Sequence, residues 1–297
     1  MGGRRLTDGR VVPGAQRGPS WEPCGAAGSW SSAHLVVIFD RAARLLRAPV
    51  FIIGCPRSGT TFVGELFGSH PAVAYWNEPP AIMAYCPRVF LGAVPETEAA
   101  RFYRTAYRRW LRRRSLRGVR RFVEKCPRHV FVVPFLARIF PGARFVHVVR
   151  DGRAVASSLV RTGWLGGEST SGDGTRARYW VPADRRHTFE TTSDVGRASM
   201  AWDLYVRAGL LGRHLGPERY TEIRYEDLLS DTVSATTRLL AFVGLPMDEA
   251  VQRFLDGVRR ERTAAWRTEL GEGSRREVET MAAELLAGLG YVTANTS

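Results

Sequence analysis

The sequence predicts an α/β fold, a three-layer sandwich in which helices cover both faces of a central, mainly parallel sheet. Short apolar runs alternate along the chain with longer stretches of helical periodicity, a pattern typical of parallel strands joined by crossover helices. One apolar run ends in a loop containing Gly and Pro that leads directly into a helix. The chain has 297 residues, enough to bury one full core.

The chain divides into an N-terminal arm and one domain. Residues 1 to about 32 are rich in Gly, Arg, Pro and Ser without periodicity, and a short amphipathic helix over 34–46 could follow them. We therefore predict a disordered or loosely attached arm over residues 1–45. The remaining residues, 46–297, are predicted to form a single domain.

The first predicted strand, residues 50–53, runs into a loop and a helix. The loop extends from Gly54 to Gly59, and helical spacing resumes at Phe62. Such a loop aims backbone N–H groups and the positive end of a helix dipole at one point, which makes an anion site. The two glycines are spaced as in a P-loop, but Thr60 stands where the ATP-type loop requires Lys. We therefore predict a P-loop-like phosphate site without that lysine.

Periodicity predicts the remaining elements. Apolar runs of strand length are followed by Pro, Gly or the start of a helix, whereas longer segments repeat apolar residues every three to four positions. We expect further strands over 72–76, 122–125, 143–149 and 220–224. We expect helices over 96–117, 130–140, 197–215, 232–243, 247–255 and 277–289.

A Gly-, Ser- and Thr-rich segment at about 163–196 interrupts this alternation. Long irregular loops inside compact domains are usually functional or disordered. The segment contains Trp164, Tyr179, Trp180 and His187. We therefore predict a substrate-side loop or lid.

The composition is strongly basic, with a formal net charge of +14. This charge could serve nucleic acid, an acidic surface or a small anionic ligand. All but one of the 43 basic residues are arginine, however, which indicates a compositional bias of the source more than a function. The single lysine, Lys125, is therefore informative, because a compact ammonium on a flexible stem suits a site that follows a moving anion.

A second motif lies almost a hundred residues after the loop. Arg150 ends the predicted strand 143–149, and Ser158 lies two turns into the helix that follows. Ligands of parallel sheets bind at the carboxyl ends of the strands, so both side chains can reach one phosphate. Ser157 points about 100° away around the helix, which favours Ser158. A kinase or GTPase would be expected to end a strand here with a Mg²⁺-binding Asp.

These two motifs resemble those of sulfotransferases that use 3'-phosphoadenosine 5'-phosphosulfate (PAPS), in the form found in tyrosylprotein, carbohydrate and many bacterial members. The resemblance covers about residues 48–291 and implies a sulfonate transfer from PAPS to an acceptor hydroxyl, which releases adenosine 3',5'-bisphosphate. It assigns the 3'-phosphate to Arg150 and Ser158 and places Tyr225 near the nucleotide. It assigns the 5'-phosphosulfate to the loop residues Arg57, Ser58, Gly59, Thr60 and Thr61.

The resemblance also implies the catalytic residues. Glu78 matches the glutamate that acts as the base in tyrosylprotein-sulfotransferase-like enzymes. Lys125, in a Lys-x-Pro element, matches the lysine that contacts the transferring sulfonate, and Arg57 is implied in catalysis as well as binding. His129 is a rival base, because cytosolic members use a histidine two residues beyond a similar lysine. Here the histidine is four residues beyond, which favours Glu78.

Two other functions stay open on sequence alone. A P-loop kinase with a degenerate loop would also bind a nucleotide, and a polyanion-binding module could use the arginines. For the sulfotransferase we expect no metal, because the basic side chains and the helix dipole supply the positive field. No apolar run is long enough to span a membrane, and four cysteines without a framework spacing favour a reduced cytoplasm. Together with the arginine bias, this pattern suggests a bacterial cytoplasmic enzyme. The acceptor and the oligomeric state are not predicted.

Overall fold

The computed structural model describes residues 41–167, 180–258 and 265–292. Residues 41–45 are helical, and Ala42 and Leu45 are buried in the core. These apolar side chains pack inward, so residues 41–45 are part of the folded core. The prediction of a disordered arm otherwise falls on residues outside the described ranges.

Five parallel strands form the central sheet, which confirms the predicted fold class. Their order across the sheet is β2-β3-β1-β4-β5, so the strand before the P-loop-like loop lies in the middle. Every neighbouring pair is parallel. The strands are β1 Val50–Gly54, β2 Val73–Asn77, β3 Arg121–Lys125, β4 Arg144–Val149 and β5 Tyr220–Arg224.

Helices cover both faces of the sheet and connect its strands. Two of the connections also contain 3-10 turns, at Pro127–Val132, Ala183–Arg185 and Leu211–Leu215. The helices are α1 Thr60–Ser69, α2 Pro80–Phe90, α3 Glu96–Arg112, α4 Val133–Ile139, α5 Gly152–Arg161, α6 Trp164–Gly167, α7 Arg186–Thr191, α8 Asp194–Leu210, α9 Tyr225–Ser230, α10 Thr232–Phe242, α11 Glu249–Asp256, α12 Trp266–Glu269, α13 Glu272–Met281 and α14 Ala283–Gly288.

The apolar side chains of β1 divide between two cores. Val50 and Ile52 pack in the cluster that contains α1 and α10, whereas Phe51 and Ile53 pack in the larger cluster on the opposite face. All of β1 is buried, as expected for the middle strand of a sheet covered on both sides. This burial holds the loop after β1 at a defined position.

Several elements differ from the sequence prediction. The sequence did not predict helix α2, because the prolines at residues 80 and 87 indicate breaks in a helix. Pro80 lies in the first turn of α2, where a proline is tolerated. Helix α3 ends at Arg112 and not near residue 117, because the chain turns back so that Leu116 is buried. The predicted helix over 130–140 is split into a 3-10 turn and α4.

The segment 163–196 is not an irregular loop in its described part. It contains α6 and α7, and α8 begins within it. Trp180 is 2% exposed and packs edge-on against Phe189 and Tyr205, so this tryptophan belongs to the core and not to an exposed lid. His187 is exposed. Tyr179 lies outside the described residues.

Among the described residues, no helix combines the length and the apolarity that a membrane crossing requires.

Candidate active site

The site lies at the carboxyl ends of the five strands. The loop after β1 leads into α1, and Gly59 precedes the helix with φ 94° and ψ 12°. Arg57 also has a positive φ, of 70°, a conformation that non-glycine residues rarely adopt. A Cβ on Gly59 would lie 2.2 Å from Cδ2 of Tyr225, so the tyrosine ring packs directly on this glycine. The loop conformation thus depends on a residue that lies far away in the sequence.

Three side chains predicted to bind phosphate meet beside the loop. Arg57 Nε donates a hydrogen bond to Ser158 Oγ at 3.0 Å, and Arg150 Nη1 donates to the Arg57 carbonyl oxygen at 3.1 Å. The Arg150 guanidinium lies 4.7 Å from the centre of the Tyr225 ring. These contacts bring two like charges together, an arrangement that favours binding of an anion.

A cavity of about 190 Å³ opens among these residues. Besides Arg57, Arg150, Ser158 and Tyr225, its lining includes three side chains that the sequence did not assign, which are Arg161, Trp266 and Glu269. Glu269 accepts hydrogen bonds from Ser157 Oγ at 2.8 Å and from Arg161 Nη1 at 3.2 Å. These three residues lie within the range 48–291 that the family resemblance covers, but the resemblance assigned them no role. The short helix α12 is therefore a wall of the cavity.

Two buried polar atoms at this site have no protein partner among the described residues. They are the hydroxyl oxygen of Ser58 and the Nε of Arg150. Buried polar groups are usually hydrogen-bonded, so orphan groups beside a basic cavity indicate a ligand with acceptor oxygens. The loop, the arginines and these orphan groups fit a phosphate- or sulfate-bearing ligand.

Lys125 and Glu78 form a second cluster on the other side of the loop. The register places Lys125 between Ile52 of β1 and Asn77 of β2. Lys125 Nζ donates to Thr61 Oγ1 at 3.0 Å and also to Glu78 Oε1. The lysine is 1% exposed, whereas the Glu78 side chain is 42% exposed. A buried ammonium is thus held next to the loop by a carboxylate that opens to solvent.

The conformation of Glu78 is set by the end of the edge strand. Its φ is 40°, and its N–H donates to the Lys125 carbonyl oxygen at 2.8 Å. This bond extends the β2–β3 pairing by one residue and turns the chain towards α2. Non-glycine residues in this region of φ are strained, and such strain is common at functional sites.

His129, the rival base, lies in the core. It is 0% exposed, its Nδ1 lies 3.0 Å from Glu124 Oε2, and its Nε2 lies 3.4 Å from the hydroxyl of Tyr103. Burial by itself lowers the pKa of His129, but neighbouring Cys126 and Glu124 reverse this and raise the pKa to about 10. The imidazole therefore has a buried acidic partner and no exposed edge.

The fold and the site define an α/β protein with a P-loop-like loop, a basic cavity on one side of the loop and a Lys–Glu pair on the other. A model of the sulfotransferase family matches residues 49–249. The chain belongs to this family.

Individual relatives are distant. Over 173 residues, the chain is 28% identical to the omega-hydroxy-beta-dihydromenaquinone-9 sulfotransferase Stf3 of Mycobacterium tuberculosis, a match that covers 58% of this chain and 40% of Stf3. It is 26% identical over 284 residues to the nodulation protein NoeE of Sinorhizobium fredii, with 81% of this chain and 65% of NoeE covered. The chain thus spans less than two thirds of either relative.

A solved structure supports the fold. The sulfotransferase domain from the Synechococcus PCC 7002 olefin synthase is 19% identical and superposes with a TM-score of 0.51. The superposition covers 79% of this chain and 94% of that domain. This likeness confirms the architecture of the sheet and helices.

Proposed function

We propose that this chain is a sulfotransferase that transfers a sulfonate group from PAPS to an acceptor hydroxyl and releases adenosine 3',5'-bisphosphate. One observation carries the proposal. The loop after β1 separates an arginine- and serine-lined cavity from a buried lysine that is paired with an exposed carboxylate. The basic cavity suits a donor that carries phosphate groups at both ends of a nucleoside. The buried lysine and its carboxylate suit the transfer reaction.

In this proposal, Arg150 and Ser158 bind the 3'-phosphate of the nucleotide. Arg57 already donates to Ser158, and Arg150 stacks on Tyr225, so these side chains are preorganised around the cavity. The backbone N–H groups of the loop from Arg57 to Thr61 would hold the 5'-phosphosulfate, with the unpartnered Ser58 hydroxyl as a further donor.

Lys125 and Glu78 have separate roles in the proposed transfer. PAPS supplies an electrophilic sulfonate bonded to a good leaving group. Glu78, at the solvent side, would accept the proton of the acceptor hydroxyl as the new O–S bond forms. Lys125 would stabilise the negative charge left on the phosphate oxygen when its bond to sulfur breaks, an electrostatic contribution aided by the low dielectric of its buried position. Arg57 would add positive charge at the same phosphosulfate.

Glu78 is favoured over His129 as the base. The exposed fraction of the Glu78 side chain, 42%, leaves room for an acceptor to approach. His129 is fully buried and faces Glu124, so an acceptor hydroxyl has no path to it.

A P-loop kinase and a polyanion-binding module account for fewer features. Thr60 at the helix start and Arg150 after β4 replace the lysine and the aspartate that a Mg²⁺-dependent kinase requires. A polyanion-binding surface would not need the buried pair of Lys125 and Glu78. We further propose a reducing, bacterial cytoplasmic setting, because the three cysteines among the described residues are buried free thiols and almost all basic residues are arginine. Fractionation of expressing cells would test it.

Calorimetric titration with adenosine 3',5'-bisphosphate, AMP and ATP tests the donor assignment. We expect binding without Mg²⁺ that requires the 3'-phosphate and is lost in Arg150→Ala. The matched control is Arg161→Ala, in the same cavity but paired with Glu269, for which we expect a smaller loss. Equal binding of the three nucleotides by folded protein would refute the sulfotransferase, and Mg²⁺-dependent ATP turnover would restore the kinase.

A further inference from the structure

A second, larger cavity lies at the amino ends of the central strands, the end of the sheet opposite to the candidate active site. It has a volume of about 620 Å³, and we name it the amino-end cavity. Its lining includes Leu45, which lies just before β1, and Arg121, the first residue of β3. Lys125 ends β3, so at about 3.3 Å of rise per residue it lies about 13 Å along the strand from Arg121. The cavity is therefore separate from the Lys–Glu pair.

The lining of the amino-end cavity is basic, and none of the described residues that form it is acidic. Leu45 and Leu116 contribute apolar surface, and both side chains are buried. Water screens charge less beside such a surface than on an open one, which strengthens pairing with an anion. The basic side chains of the lining are Arg41, Arg44, Arg120 and Arg121.

Three of these arginines contact no carboxylate among the described residues. Arg41 Nη1 donates to the Leu116 carbonyl oxygen at 3.2 Å. Arg121 donates to the carbonyl oxygens of Val243 and Arg120. The guanidinium of Arg120 makes no hydrogen bond or ion pair with any residue that the structure describes. Because carbonyl groups carry no net charge, three positive charges remain uncompensated around one cavity.

A fourth arginine adds to this crowding of like charge. Arg144, the first residue of β4, has Nε bonded to the Glu218 carbonyl oxygen at 3.3 Å. Burial lowers the pKa of Arg121, and the nearby charges of Arg144 and Arg120 lower it further. Repulsion among like charges opposes the compact state, so an anion that offsets it would also stabilise the fold.

We propose that the amino-end cavity binds an oligophosphate, a compact oxyanion with three or more negative charges. Arg120 and Arg41 supply unused N–H donors, and the contact with Val243 holds Arg121 in place. The planar fork of each guanidinium matches the oxygens of a phosphate group. Arginines from two separate segments of the chain face the same cavity, so a ligand with several phosphate groups can contact both segments at once.

Calorimetric titration of the full chain with inorganic tripolyphosphate, without nucleotide, tests the cavity. The variant Arg120→Gln should weaken binding at least about tenfold, because a hydrogen bond to a charged group is lost. Arg120 is exposed and its guanidinium has no partner among the described residues, so this variant should fold normally. The matched control Arg253→Gln removes an exposed arginine of α11 that does not line the cavity, and the affinity should stay within about twofold.

Inorganic phosphate at matched ionic strength is the matched ligand. It should bind at least about tenfold more weakly than tripolyphosphate, because a single phosphate group cannot reach the arginines of both segments. Tripolyphosphate should also raise the melting temperature of the wild type more than that of Arg120→Gln. Similar affinities for the two anions, equal effects of Arg120→Gln and Arg253→Gln, or no binding at all would overturn the inference.

The variant Arg150→Ala separates this site from the cavity proposed for the nucleotide. Tripolyphosphate should keep its Arg120-dependent binding in this variant. Binding that is lost in Arg150→Ala and kept in Arg120→Gln would place the anion in the nucleotide cavity and refute the second site. The inference does not depend on the proposed sulfonate transfer, and Arg120→Gln should bind adenosine 3',5'-bisphosphate as the wild type does.

Discussion

The single lysine of the chain stands where arginine would be hard to accommodate. Lys125 is almost fully buried, and its ammonium contacts Thr61 and Glu78 at once. A planar guanidinium is larger and needs more donors satisfied, so it would leave N–H groups unpaired in this space. In a chain whose other basic residues are all arginine, this requirement explains why one lysine is present.

Replacement of Glu78 tests its role as the base. We expect Glu78→Gln to lower kcat by about 10²- to 10⁴-fold, because the amide cannot accept the acceptor proton. The affinity for adenosine 3',5'-bisphosphate should stay within about twofold, since the cavity lies across the loop. Steady-state kinetics and calorimetry measure the two quantities.

The control for this substitution is Glu65→Gln, which removes an exposed carboxylate of the neighbouring helix α1. It should leave kcat unchanged. A Glu78→Gln enzyme that keeps full kcat would show that another group takes the proton.

At the scale of elements, the loop between β1 and α1 depends on a contact with α9. Tyr225, the first residue of α9, packs on Gly59 and lies under the Arg150 guanidinium. One aromatic ring thus joins the phosphate-binding loop to the arginine at the end of β4. The nucleotide site is assembled from three strand ends, which explains why its two motifs lie so far apart in the chain.

The variant Gly59→Ala tests this contact. The new methyl group would meet the Tyr225 ring at 2.2 Å in a residue whose φ is already 94°, so we expect affinity for adenosine 3',5'-bisphosphate to fall at least about tenfold. Gly92→Ala is the control, because Gly92 has φ 65° and an added methyl group there would have no atom within 4 Å. Equal, small losses in both variants would mean that the tyrosine contact does not constrain the loop.

The buried pair of Glu124 and His129 supports the end of β3. His129 has its pKa raised from the ordinary value of 6.5 to about 10. Its contribution to folding is therefore fully present below about pH 6.5 and is lost as the pH rises through about 10. The pair thus stabilises the segment that carries Lys125 most strongly at mildly acidic pH, and less as the pH rises.

Urea unfolding of the wild type and His129→Gln between pH 6 and pH 10 measures this contribution. We expect the free energy of unfolding of the wild type to exceed that of the variant most at pH 6, with the difference shrinking towards pH 10. His187→Gln serves as the control for loss of an exposed imidazole. A difference that grows with pH would contradict the assigned direction.

At the scale of the whole molecule, Arg153 connects the C-terminal helices to the sheet. It donates to both carboxylate oxygens of Asp151, to Glu279 and to the Tyr291 carbonyl oxygen, and its guanidinium lies 4.4 Å from the Trp266 ring. Trp266 lines the nucleotide cavity. The contacts of Arg153 therefore hold the C-terminal segment next to Trp266, which forms part of the wall of the candidate active site.

Loss of this connection should be costly. Arg153→Met leaves the buried carboxylate of Asp151 without its cationic partner, so we expect the free energy of unfolding to fall by about 3–5 kcal/mol. In the control Arg276→Met, an exposed pair with Glu272 is lost, and the change should stay within about 0.5 kcal/mol. Denaturant unfolding measures both changes in the free energy of unfolding. Similar losses of stability in both variants would mean that Arg153 is not a structural connection.

Local sequence determined the features that depend on neighbouring residues. The apolar run at 50–53, the glycine spacing of the loop and the strand that ends before Arg150 each predicted their element, because periodicity and turn residues act over a few positions. The choice of Ser158 over Ser157 also followed from helix geometry, and the two hydroxyls do face different partners, Arg57 and Glu269.

Tertiary structure alone decided the features that depend on distant contacts. The order of the strands places Lys125 beside Thr61 and Glu78. His129 and Trp180 are buried in the core, so neither lies in the crevice. The wall formed by Trp266 and Glu269 also appears only when separate elements pack together. Local sequence patterns do not indicate which surfaces pack together, because these contacts depend on how the whole chain packs around the sheet.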